Sequence, residues 1–187
     1  MGLPYVTMTA IPAPRQVLDY SPPKADRHPR ISGIDRWRVP AETDGMADID
    51  ANRRIVREFI DGLFSRGDLD AVDVYLSEDF VNHDPPFGVG PDRDGMRAAG
   101  GSFRAAFPDW RSELHHLVAE GDLVAEHFTA RGTHRGEVMG IPPTGRQIAL
   151  AGINLFRVRD GRIVERWGRV DDLGFLQQLG VVPPIGT

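Results

Sequence analysis

The sequence predicts an α+β fold, with helices laid against one face of a curved antiparallel sheet. Three observations point there. Apolar residues in the first half of the folded region recur at helical spacing, beginning with Ile49, Ile55, Val56, Phe59, Ile60 and Leu63. After Trp110 the period changes to two, the repeat of a strand. The alternating segments are then separated by Gly121-Asp122, by GIPPTG at 140–145 and by Asp160-Gly161, all turn signals.

The elements follow in order. Residues 1–46 carry Pro4, Pro12, Pro14, Pro22, Pro23, Pro29 and Pro40 with no sustained period. Proline fixes φ and removes a donor, so this stretch is expected to be an extended arm or tail. Tyr5, Tyr20 and Trp37 could pin it to its own domain or to a partner subunit, and Met46 is an alternative start. The folded domain is expected over 47–187. Asp48 or Asp50 is placed to cap a first helix that ends before Arg66-Gly67-Asp68. A short helix is expected over Leu69–Leu76, a strand over Phe80–Asp84 stopped by Pro85-Pro86, and a helix over Asp94–Phe107 stopped by Pro108. Strands follow over Trp110–Glu120, Leu123–His134, Arg146–Arg159 and Arg162–Asp171, then a helix over Leu173–Leu179 closed by Gly180. A curved sheet with helices on its concave face encloses a pocket, the usual place for a ligand.

Bulk composition narrows the function. The chain has 187 residues, 41% hydrophobic and 26% charged, as in a soluble globular protein. No apolar run approaches the roughly 20 residues of a membrane span, so no membrane association is expected and a cytoplasmic location is the default. A net charge of −5 disfavours nucleic acid, which requires a dense basic face. Without cysteine there is neither a disulfide nor thiolate chemistry. No histidine pair has the i, i+4 spacing of a helical zinc site, and adjacent His115 and His116 should point to opposite faces, so no metal is expected.

The last strand is the most informative. If it alternates without interruption, one face carries Ile163, Glu165, Trp167, Arg169 and Asp171, and the other Val164, Arg166, Gly168 and Val170. An indole, two carboxylates and a guanidinium in one row fit a cavity wall, because charges are costly to bury in a sealed core. They fit equally a solvated face.

These segments resemble a known family. FIDGLFSRGDLDAVDVYLSEDFVNHDP, AAFPDW, GTHRGEVMGIPPTGR and DGRIVERWGRVDDLGFLQQLG, in this order, are similar to the SnoaL-like ester cyclases of the nuclear transport factor 2-like superfamily. The resemblance covers about residues 50–184 and leaves out the arm. It implies a cone-shaped barrel, a homodimer or larger homo-oligomer, and catalysis without metal or organic cofactor; the arm, outside the resemblance, is one candidate for that interface. It also implies closure of a polyketide ring by an intramolecular aldol reaction on a hydrophobic small-molecule ester.

The resemblance puts a catalytic acid/base at Asp171, just before the terminal helix. A carboxylate in an apolar wall has a raised proton affinity, which suits proton transfer near neutral pH. The same residue, or Asp172, could simply cap that helix. His83 and His134 are candidates to trade protons with Asp171 or to bind a carbonyl. Each has a structural alternative, as a turn residue before Pro85-Pro86 or a bond to the GIPPTG turn. Glu126 lies among Val124, Phe128 and Ala130, where a carboxylate needs an Arg or His partner. Asn154, beside Leu150, Gly152 and Phe156, could donate to a substrate oxygen. Trp110, Phe59, Phe128, Met139 and Trp167 are expected to shape the lining, with Arg169 and Glu165 tuning Asp171. Two other functions compete: hydrolysis of an epoxide or dehydration, using Arg169 with Asp171 and Glu165, and binding of a small apolar ligand without catalysis.

Overall fold

A computed structural model describes residues 48–184 of the protein; the expected arm over 1–46 lies outside them. Four helices and five strands follow in the order α1 (Ile49–Ile60), α2 (Ala71–Tyr75), β1 (Leu76–Asn82), α3 (Arg93–Ala106), β2 (Arg111–Glu120), β3 (Leu123–Thr133), β4 (Gln147–Arg159), β5 (Arg162–Val170) and α4 (Asp172–Leu179). A π-helical turn, Asp61–Arg66, continues α1, and Pro86–Gly88 forms a single 3₁₀ turn. No helix among the described residues is long and apolar enough to cross a membrane.

Caps fix the helix ends. Asp48 accepts from Ala51 N at 3.0 Å to start α1, and Asp92 accepts from Gly95 N at 2.8 Å to start α3. Gly180, at φ 85°, closes α4 in the left-handed conformation that costs glycine little. The β4–β5 turn puts both Asp160 and Gly161 at positive φ, 49° and 72°, as a two-residue hairpin requires.

The sheet order is β1-β5-β4-β3-β2 and the sheet is not closed. The expected meander holds for β2 to β5, all antiparallel. The expectation of a wholly antiparallel sheet needs one correction: β1 pairs with β5 in parallel. The two elements are separated by the whole chain between them, so nothing obliges them to run opposite ways. β1 also starts at Leu76, earlier than expected, because α2 ends after five residues.

The helices pack on the inner face in two apolar clusters. One joins Val56, Phe59 and Leu63 of the first helical segment to Val124, Phe156, Val158 and Ile163 of the sheet. Phe59 meets Phe156 edge-on, ring centroids 6.2 Å apart, an arrangement aromatic quadrupoles favour. The other joins Phe103, Phe107 and Trp110 to Phe128, Leu150 and Phe175.

Two bulges decide which side chains reach this inner face. Along β5, Glu165 pairs with Arg157 but Ile163 pairs with Val158, so β5 has one residue more than its partner. The alternation slips by one there. Ile163 is buried in the core, while beyond the bulge it is Arg166, Gly168 and Val170 that share the inner face with Phe156, Asn154 and Gly152. The uninterrupted alternation expected for this strand is therefore corrected: Glu165 and Trp167 lie on the outer face. Along β2, Leu114 pairs with Phe128 and His116 with His127. His115 is the extra residue, so His115 and His116 do not point to opposite faces. Both contact outer-face residues, His115 Nε2 with Thr129 Oγ1 at 2.9 Å and His116 Nδ1 with His127 Nδ1 at 3.1 Å.

Candidate active site

Between the helices and the inner face lies a cavity of about 520 Å³. Phe64, Met96, Phe103, Trp110, Phe128, Leu150 and Phe175 make most of its wall apolar. One side is polar, formed by a chain of hydrogen bonds that runs across four adjacent strands. Glu126 of β3 accepts at Oε2 from Asn154 Nδ2 of β4, 2.7 Å away. Asn154 Oδ1 accepts from Arg166 Nη2 of β5 at 2.7 Å. Arg166 Nη1 donates to Asn82 Oδ1 at the end of β1, 3.0 Å away, and to the carbonyl of Asp84 at 3.4 Å.

The electrostatics follow from burial. Glu126 is only 1% exposed. That burial pushes its carboxyl above the usual carboxylate range, against the hydrogen bond from Asn154 and the charge of Arg166, which both favour ionisation. Burial lowers the Arg166 guanidinium to about 10, with Glu126 and Asp84 acting the other way. At the cavity border Asp84 forms an ion pair with Arg169 and accepts from Gly168 N at 3.0 Å. The Arg169 hydrogen bond holds the Asp84 carboxyl below its ordinary value. Asp172 also borders the cavity.

The structure brings Glu126, Asn154, Trp110, Phe128, Met139 and Arg169 to one cavity. It takes the remaining candidates elsewhere. Asp171 is the N-cap of α4: its Oδ1 accepts from Gly174 N at 2.9 Å. Of the two aspartates that could cap this helix it is Asp171 that does, because the strand ends at Val170 and leaves Asp171 as the last non-helical residue. His134 is 0% exposed. Its Nδ1 takes the N–H of Thr144 at 3.2 Å, and its ring stacks on Phe107 at 5.2 Å, which ties the 140–145 turn to the core. His83 is on the outer side, stacked on Trp167 at 4.5 Å and 3.0 Å from Glu165. Glu165 also accepts from Arg157 Nε at 3.0 Å. Phe59 belongs to the core cluster and not to the cavity wall. Sequence reading missed Arg166, Asp84 and Asp172. Glu126 and Asn154 were a usable signal for Arg166, since a buried carboxylate needs a cationic partner.

The chain matches the family described as SnoaL-like polyketide cyclase over residues 54–179. It is 30% identical to nogalonic acid methyl ester cyclase of Streptomyces nogalater over 119 residues, 63% of this chain and 89% of that protein. It is 30% identical to aklanonic acid methyl ester cyclase DauD of Streptomyces sp. strain C5 over 139 residues, 71% of this chain and 81% of that protein. Among solved structures, IdmH of Streptomyces antibioticus superposes with a TM-score of 0.61 at 37% identity, covering 70% of this chain and 99% of IdmH. TsrD of Streptomyces laurentii gives 0.66 at 29% identity, covering 72% and 98%. Fold, matched length and shared sequence agree, and the chain belongs to the SnoaL-like polyketide cyclase family.

Proposed function

We propose that the protein closes a ring on a polyketide-like methyl ester by an intramolecular aldol reaction, with its own side chains moving the protons and no cofactor taking part. The observation that carries this reading is a roomy, largely apolar cavity with a buried carboxyl set into its one polar wall. An aldol closure needs a hydrophobic container that folds the substrate so that its carbanion and its ketone meet. It also needs a group that removes a proton beside a carbonyl and returns one to the new alkoxide. Glu126, Asp84 and Asp172 are the carboxyls at the cavity. The esters cyclised by the relatives are the natural first substrates.

Incubation with nogalonic acid methyl ester and with aklanonic acid methyl ester tests the reading. Aldol closure gives a product of unchanged mass with a new ring. A product lighter by one CH₂, the free acid left when methanol departs, assigns the protein to hydrolysis, and one lighter by a water to dehydration. An ester bound tightly and returned unchanged makes the cavity a binding site only.

A further inference from the structure

The polar wall of the cavity is ordered in a way that singles out one group. The amide of Asn154 has its orientation fixed from one side. Its Oδ1 accepts from Arg166 Nη2, and arginine has no acceptor, so the Asn154 NH₂ must face Glu126. Arg166 is itself fixed by Asn82 Oδ1 and the Asp84 carbonyl. Glu126 is thus held through Oε2 by an oriented donor, in a cavity whose opposite walls are apolar. A base whose orienting partner is in turn oriented is the general pattern of an acid/base device.

We propose that Glu126 is the proton-transferring residue of the cavity and that Asn154 is its positioning residue. The proposal rests on the cyclase reading for its substrate. The step balances within the substrate and one carboxyl. The Glu126 carboxylate takes the proton from the carbon next to the ester carbonyl, and the C–H electron pair passes into an enolate. The enolate carbon bonds to the ketone carbon, whose π pair moves onto oxygen. The Glu126 carboxyl then gives its proton to that alkoxide and is again a carboxylate.

Burial favours this use. It raises the proton affinity of Glu126, and a base working near neutral pH is the more effective for it. The charged groups around it are Arg166 from β5, with Asp84, Arg169 and Asp172 on the border of the same cavity. On its other side Glu126 borders a second cavity, with Arg57, Glu58 and Asp61 of the first helical segment. Of these, Arg166 is the one whose charge bears on the Glu126 carboxyl, and it favours the ionised form.

The test separates proton transfer from ring closure. A methyl ester analogue that lacks the acceptor ketone can lose its α-proton but cannot cyclise. In D₂O the wild type should exchange that proton faster than buffer does. Glu126→Gln, folded by circular dichroism, should lower the exchange rate by about 10²–10⁴-fold with KM little changed. Glu113→Gln on the outer face should match wild type. The acid limb of the wild-type kcat profile should lie above the ordinary carboxylate range. Asn154→Ala should move it higher still, because the lost hydrogen bond favoured the ionised form.

Exchange by the wild type at the buffer rate, or by Glu126→Gln at the wild-type rate, overturns the proposal. Should the glutamine variant not fold, an acid limb at the ordinary carboxylate value overturns it from wild-type data alone. Exchange without ring closure on either ester leaves Glu126 in its role and rejects the cyclase reading. Ring closure equal in wild type and Glu126→Gln does the reverse.

Discussion

Glu126 is a costly residue to keep. Its folded carboxyl binds protons more tightly than the unfolded one, so the native state gains from it fully below the ordinary carboxylate pKa. That gain is lost as pH rises through the raised folded value, where the ion must sit out of reach of water. Glu126→Gln should therefore raise the melting temperature at pH 7–8, by about 2–4 °C for each kcal/mol relieved. The difference should fade toward pH 4, where wild type carries the neutral acid. Thermal unfolding at the two pH values checks this; a glutamine variant that is less stable at pH 8 contradicts it. A stability gain paired with lost turnover is the signature of a group kept for chemistry.

At the scale of elements, Asp171 joins the end of β5 to the start of α4. Asp171 satisfies an orphan N–H of α4. Asp171→Ala should cost about 1 kcal/mol, and Asp171→Asn only a fraction of that, since asparagine caps equally well. Urea denaturation measures both. If Asp171→Asn lost turnover more than tenfold at unchanged stability, the aspartate would belong to the chemistry after all. On β5, Gly168 is the gap through which Arg166 reaches Asn154. A Cβ there collides with Arg166 Nη2 and comes within 2.9 Å of Asn154 Oδ1. Gly168→Ala should break the Arg166–Asn154 hydrogen bond and lower kcat with the fold intact, which kinetics and near-ultraviolet circular dichroism can distinguish.

At the scale of the whole molecule, the two apolar clusters differ in duty. The cluster around Phe59, Leu63 and Phe156 reaches the cavity only through Ile60 and Met96 and otherwise holds the first helical segment to the sheet. The cluster around Phe103, Trp110 and Phe128 is also cavity wall. Phe156→Ala should cost about 3–5 kcal/mol, read as a fall in the denaturation midpoint. Phe128→Ala should cost less, because its ring already faces open space on one side, and should appear chiefly in KM for the bulky ester. Equal losses of stability in the two variants would deny the distinction.

The sequence by itself determined the elements, their order and the family. Helical and strand periods, caps such as Asp48, and turns such as Asp160-Gly161 depend on residues close along the chain, so they are legible there. Glu126 and Asn154 were legible too, as polar residues on faces that otherwise read as apolar. The site as a whole was not. The bulge in β5 exchanges the faces of Trp167 and Arg166, and no alternation rule announces where a strand will take in an extra residue. The polar chain depends on the order β3, β4, β5, β1, which places residues 126, 154, 166 and 82 side by side. Only the tertiary structure decided that. A row of hydrogen bonds across four strands exists only once their registers are fixed together, and the buried carboxylate and arginine tolerate the interior only in that arrangement.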